Sequence, residues 1–335
     1  MPSTPRKPWV APLSAAANLE HLKKQAKELR VAIEQAEPEA MALVARHLHP
    51  DKHEGASSLT QAQHILARQY GFDSWPKLKA HLEARAAARA RIEQIAASVW
   101  SRPERVLEER GGLVDPVAKR TALEACQTSD VPLLTVRDFV LFPGTAAPLS
   151  VLRPRSLALV DALQASGEAL VGVFCQHDPA IHEPGQQDLQ AVGVLAQVEE
   201  IVPVPGEATT LFVVGLARVS LQQFTQTEPY ARARVAALNE QATDGQLHGL
   251  TADLRDCARQ IVSLMPGAPA NAQTILDRIT DPRELADAIA VNLDAPQDVK
   301  GALLGTSNDG ERLGKLLGLL QAQLTLLQAQ RRTVG

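Results

Sequence analysis

His47, His49, His53 and His64 crowd one short stretch of the chain, where imidazoles could in principle gather a metal ion. Their H-x-H-x3-H spacing matches no common closed zinc site, and no cysteine lies near. The stretch reads as a solvated polar loop, and no metal is expected. Gly305 and Gly310 have the spacing of a phosphate-cradling loop, but Glu311 follows where a lysine is needed. A carboxylate there repels phosphate. Gly314-Lys315 supplies the lysine with the wrong glycine spacing, and Leu316 follows it. No Gly-x-Ser-x-Gly elbow presents a serine nucleophile. Cys126, Cys175 and Cys257 lie far apart, with no CxxC pair, and read as reduced, buried thiols. No catalytic or cofactor-binding residue is assigned on these grounds, and the chain is expected not to be an enzyme.

Composition points the same way. Hydrophobic residues make up 45% of 335 residues and charged residues 21%, as in an ordinary globular protein. Aromatics are only 3%, so the cores must be built from Leu, Val, Ile and Ala. The net charge of -4 argues against nucleic acid as a partner, because phosphate binding needs a concentrated cationic surface. The charge is unevenly divided: residues 1–129 hold 19 Lys/Arg against 15 Asp/Glu, and residues 130–335 hold 15 against 23. The two parts are expected to be separate units with different surfaces. No apolar run reaches the roughly 20 residues that cross a bilayer. The Pro-rich start has no apolar signal core. A cytoplasmic protein without a membrane partner is the expectation.

The elements that would position any site change character along the chain. Leu19, Leu22, Ala26, Leu29 and Ile33 step three and four, the face of one helix, with Asn18 as its N-cap. Pro38 ends it. Further helices are expected over 39–47 and 60–70, with Gly71 as a C-cap, and a fourth after Ser74, with Pro76 in its first turn. Residues 84–110, rich in Ala, Arg and Glu, read as an exposed connecting helix. After Asp130 the pattern turns to short β-branched runs broken by Pro, Gly and Asp, which marks a domain boundary. The expected organisation is a tail over 1–17, a helical module over 18–84, a helical linker over 85–129, a β-domain over 130–240 and a helical subdomain over 241–335. The fold class is α+β.

Leu22 to Lys27, Ala62-Gln63, Ala67 to Tyr70 and Gly71-Phe72-Asp73-Ser74-Trp75-Pro76 together resemble the small helical domain that precedes bacterial ankyrin arrays. No period near 33 residues follows. His49-Pro50-Asp51 matches the J-domain signature, but the helix before it lacks that family's strongly basic face.

Val131-Pro132-Leu133-Leu134-Thr135-Val136-Arg137-Asp138, followed by Phe142-Pro143-Gly144, resembles the opening of the Lon protease N-terminal domain. Ala191 to Val198 is similar to that family's second strand pair. Leu211 to Arg218 is similar to its Gly-x-x-Arg hairpin, and Glu228 to Val235 to its closing strand. Asp281-Pro282 with Leu285-Ala286-Asp287, and Arg312-Leu313 with Leu316-Leu317, extend the resemblance into a helical subdomain. The resemblance implies a PUA-like twisted β-domain that recognises unfolded or damaged polypeptides. The Walker motifs and the Gly-Pro-Ser-Ala-Gly loop of a complete protease do not occur. Two further readings stay open: part or partner of a Lon-type ATP-dependent protease, and an adaptor acting through residues 18–84. Phe142, beside a turn, and Arg218, beside the presumed hairpin, are the candidate polypeptide-binding residues. Leu313, Leu317, Leu320, Leu324 and Leu327 form a heptad seam that serves either internal packing or self-association into a homo-oligomer.

Overall fold

The computed structural model describes residues 13–14, 17–49, 56–110, 112–239 and 247–334. The first 12 residues of the expected tail, His53 and the Pro50-Asp51 pair lie outside them. The chain divides into two units, residues 1–91 with 204–207, and residues 92–203 with 208–335.

The first unit is all helical. Helix α1 (Leu19–Glu34) opens on Asn18, whose side chain accepts the His21 amide at 2.8 Å. It buries Leu22, Ala26, Leu29 and Ile33, the face that the spacing predicts. Pro38 begins the next helix, α2 (Pro38–His47), because its fixed φ suits a first turn. Helix α3 (Leu59–Gln69) is capped by Ser58 and followed by Gly71 at φ +84°. Helix α4 (Trp75–Arg110) runs 36 residues, so the expected fourth helix and the connecting helix are one element. Leu22, Leu29, Ile65, Leu66 and Leu78 form the unit's core, each worth about 1.5–3 kcal/mol when fully buried. Tyr70 donates its hydroxyl to the side-chain oxygen of the buried Gln25 at 2.9 Å.

The second unit is built on six strands: β1 (Val131–Val136), β2 (Ala146–Val151), β3 (Leu170–Cys175), β4 (Val192–Val202), β5 (Thr209–Gln226) and β6 (Arg232–Ala237). Their order is β2-β5-β4-β3-β1-β6, and β6 also pairs with β5, which closes a barrel. The 18-residue β5 makes this possible, with β2 along its first half and β6 along its second. The Leu211 to Arg218 segment is thus continuous strand, which corrects the hairpin expectation.

Alternation along the strands feeds two cores. Val171 and Val173 face one, while Phe174 and Leu195 face the other. The second core is covered by Ala122 and Cys126 of helix α5 (Pro116–Thr128). Residues 116–128 are therefore part of the β-domain rather than a linker. Helix α6 (Pro154–Ser166) carries the chain from β2 to β3, which lies parallel to β1.

The first core continues into five helices: α7 (Leu247–Leu264), α8 (Ala272–Arg278), α9 (Pro282–Asn292), α10 (Gln297–Gly305) and α11 (Asp309–Val334). Asp281 caps α9 by accepting the Arg283 amide at 2.7 Å. Glu284 of α9 accepts the Leu113 amide at 2.6 Å, and burial pushes its carboxyl above the usual range. Among the described residues, no helix is long and apolar enough to cross a membrane.

Candidate functional site

The structure places both expected binding residues inside the protein. Phe142 is 0% exposed and fills the first core. Its carbonyl accepts the Thr145 amide in the Pro143-Gly144 turn, and Gly144 and Gly215 tie that turn to β5 through bonds of 2.9 Å. A side-chain carbon at Gly215 would lie 2.4 Å from the Phe142 carbonyl oxygen, so this approach needs glycine.

Arg218 is 3% exposed. Its burial follows from a bulge. Leu195 pairs with Ala217 and Ala196 with Gly215, so Leu216 is an extra residue in β5. Before the bulge, Leu211 and Val213 face the first core; beyond it, Val219 faces the second. The phase change turns Arg218 toward the helices. There it donates to the carbonyls of Leu304 at 3.1 Å and Thr306 at 2.7 Å, with Asp309 at 3.9 Å. Neither Phe142 nor Arg218 presents a surface to a polypeptide, and the binding expectation for both is corrected to a structural role.

The leucine seam is also turned inward. Leu313 and Leu320 are buried, and Leu317, Leu324 and Leu327 pack half-buried against the same core, where α11 lies along α7. Those contacts are packing within this unit. Arg312, beside Leu313, is fully buried and pairs with Asp287, so that end of α11 is anchored by charge as well.

His47 Nε2 shares a hydrogen bond with Gln69 Oε1 at 3.0 Å. Among the described residues no group of three His, Cys, Asp or Glu is placed to hold a metal.

The open feature of the β-domain lies elsewhere, where strand pairing runs out. The β1–β6 ladder holds only Val131 and Pro132. Beyond Leu133, whose amide reaches the Ala231 carbonyl, that side of β1 has no strand beside it among the described residues. A cleft of about 240 Å³ occupies the gap, lined by Leu133 and Thr135 of β1, the start of α6, and the loop carrying His182 to Pro184.

The cleft wall is held by a buried side chain. Gln176 donates to the carbonyls of Asp178 at 3.3 Å and Ile181 at 2.9 Å, which shapes the loop. Its Oε1 accepts from Arg153 at 2.6 Å. Arg153 also reaches Thr135 Oγ1 at 3.3 Å. Burial, and then the charge of Arg137, pull the Arg153 pKa down. Arg137 itself lies 3.3 Å from His182 Nδ1. Arg155 is paired differently, with Glu183 at 3.1 Å and Glu228 at 2.5 Å. Leu152, the residue before Arg153, is 68% exposed.

This arrangement assembles no nucleophile. Ser156 and His182 both line the cleft. A triad needs a carboxylate on the far imidazole nitrogen to stabilise the imidazolium. His182 has a guanidinium there instead. Sequence reasoning missed the cleft because its signals, Arg153 and Gln176, belong to no motif.

The model of the ATP-dependent protease La (LON) substrate-binding domain matches residues 130–322, more than half the chain. The chain belongs to the Lon substrate-binding domain family. It is 34% identical over 201 residues to the Lon protease of Anaeromyxobacter dehalogenans, covering 59% of this chain and 24% of that protein. It is 33% identical over 201 residues to Lon protease 2 of Myxococcus xanthus, with the same coverage. The chain thus spans about a quarter of the length of the curated relatives it matches. The N-terminal domain of Mycobacterium avium complex Lon protease superposes with a TM-score of 0.48 at 23% identity, covering 58% of this chain and 98% of that one. The Lon-type region contains all six strands and the whole cleft. Helix α5, which covers the second core, lies just outside it.

Proposed function

We propose that this protein is a non-catalytic, cytosolic polypeptide-recognition module, and that the β1–α6 cleft is where it holds exposed segments of unfolded or damaged chains. The supporting observation is that a substrate-binding family match coincides with an open cleft in the barrel, with the exposed Leu152 next in sequence to its lining residue Arg153. Affinity would come from apolar burial at the exposed Leu152, with the loop and α6 fixing direction. Anisotropy of a labelled, carbamidomethylated unfolded protein, titrated with this chain without nucleotide and beside a folded control, tests the reading. Selective binding near the micromolar range, about -8 kcal/mol, is expected. Equal or absent binding of both proteins removes it.

A second reading is favoured by the relatives being named Lon proteases while this chain matches a quarter of their length. The module would then serve as part or partner of such a protease and deliver what it binds. Adding the chain to a Lon-type protease should raise the degradation rate of an unfolded substrate; an unchanged rate would count against delivery. The resemblance of residues 19–83 to the ankyrin-associated domain leaves an adaptor role as a third proposal, tested by whether residues 1–128 capture a folded partner.

A further inference from the structure

The charges in the cleft are unevenly matched. Arg155 has two carboxylates, Glu183 and Glu228. Arg153 has none: its partners are the neutral oxygens of Thr135 and Gln176. Arg137 has an imidazole nitrogen. Of these three guanidiniums only Arg155 is paired with carboxylates; Arg153 lines the cleft without one, and Arg137 lies behind the lining residue His182. A partly buried arginine without a carboxylate partner is costly, because desolvation is not repaid by charge pairing. Thr135 and Gln176 hold the Arg153 guanidinium in place without neutralising it.

The backbone beside it has the same polarity. Helix α6 begins at Pro154 with no side-chain cap, and free first-turn amides favour negative charge. Ser156, in that turn, lines the cleft. The remaining lining is small and apolar, including Leu133, Pro184 and Ala231. The volume of about 240 Å³ suits one or two residues of a peptide rather than a folded surface.

We propose that the cleft receives a carboxylate of the bound polypeptide, either a C-terminal carboxylate or an Asp side chain, against Arg153, with apolar residues of the segment against the exposed Leu152 next to it in sequence. The inference rests on the polypeptide-recognition reading and adds a substrate class to it: segments that pair an apolar stretch with a carboxylate. Arginine suits the task because its planar fork matches a carboxylate with two parallel hydrogen bonds.

The test uses the full chain and three fluorescein-labelled 12-residue apolar peptides of one sequence. One ends in a free carboxylate, one in an amide, and one is the amide with a single internal Asp. The carbamidomethylated unfolded protein serves as a fourth probe. At least one carboxylate peptide should bind about 10-fold tighter than the plain amide, roughly 1.4 kcal/mol, and which one does so identifies the source. The R153Q variant should lose that preference, the carboxylate and amide peptides then binding alike. R137Q should reduce the preference by a smaller factor. The peptide comparison on the unaltered chain does not depend on how well R153Q folds. If all three peptides bind equally, the carboxylate inference is overturned while the recognition reading stands. If neither the peptides nor the unfolded protein bind, both fall.

Discussion

Arg218 and Arg153 are two arginines of one β-domain with opposite surroundings. Arg218 sits beyond a bulge, closed in by α10 and α11, with two carbonyls and Asp309 around it. Arg153 sits at the mouth of α6, held by two neutral side chains beside an open cleft. The first belongs to a recognisable motif and the second to none. Motif residues on this barrel mark where the chain must pack tightly. The open cleft lies where β6 stops covering β1.

Breaking the buried side should give the largest effects. Arg218→Met leaves Asp309 and two carbonyls short of a donor, and should cost about 3–5 kcal/mol in urea denaturation. Phe142→Ala should cost a similar amount, about 3–5 kcal/mol, through the cavity it leaves. Both variants should keep wild-type affinity for an unfolded polypeptide under conditions where they remain folded. A selective affinity loss in either would restore it as a contact residue.

A middle-sized effect is expected at the barrel seam. The Thr225 hydroxyl, which donates to Asp130 at 2.5 Å, and Arg232, at 3.0 Å, hold the Asp130 carboxyl below its ordinary value. A depressed carboxyl contributes stability above its unfolded pKa and loses it as pH falls through the folded one. Asp130→Asn should therefore cost about 1 kcal/mol at neutral pH, since the pair is partly exposed. The cost should vanish in acid below the normal carboxylate range. A pH-independent difference in melting temperature would contradict the linkage.

The smallest effect concerns the thiols. Cys126, Cys175 and Cys257 are all buried, and burial pushes each thiol up. Iodoacetamide should label none of them appreciably in the native protein at neutral pH, and all three in denaturant. Rapid native labelling of Cys175 would show that the loop over the cleft opens more readily than its Gln176 bonds imply.

The contrast also explains what could be read from sequence. The strands containing Val131, Val192, Leu211 and Arg232 were legible because apolar runs between turn residues are local signals, and their order matched a family. Helix α1 was legible from its five-residue stripe. The fate of Arg218 was not, because it depends on one extra residue at Leu216 and on helices 86 positions away. The leucine seam showed a helix but not its partner, since α7 joins it only through the fold. Helix α5 passed as linker because its buried side chains, Ala122 and Cys126, are small. The cleft was invisible for a similar reason: it is defined by where a ladder ends.

Hydrogen–deuterium exchange of the chain, with and without a saturating carbamidomethylated unfolded protein, tests the recognition surface most directly. Binding at the open side predicts added protection over residues 133–136, 152–157 and 177–184, with 211–218 and 313–327 unchanged. Protection confined to 313–327, or spread over the helical module with the cleft unaffected, would contradict it.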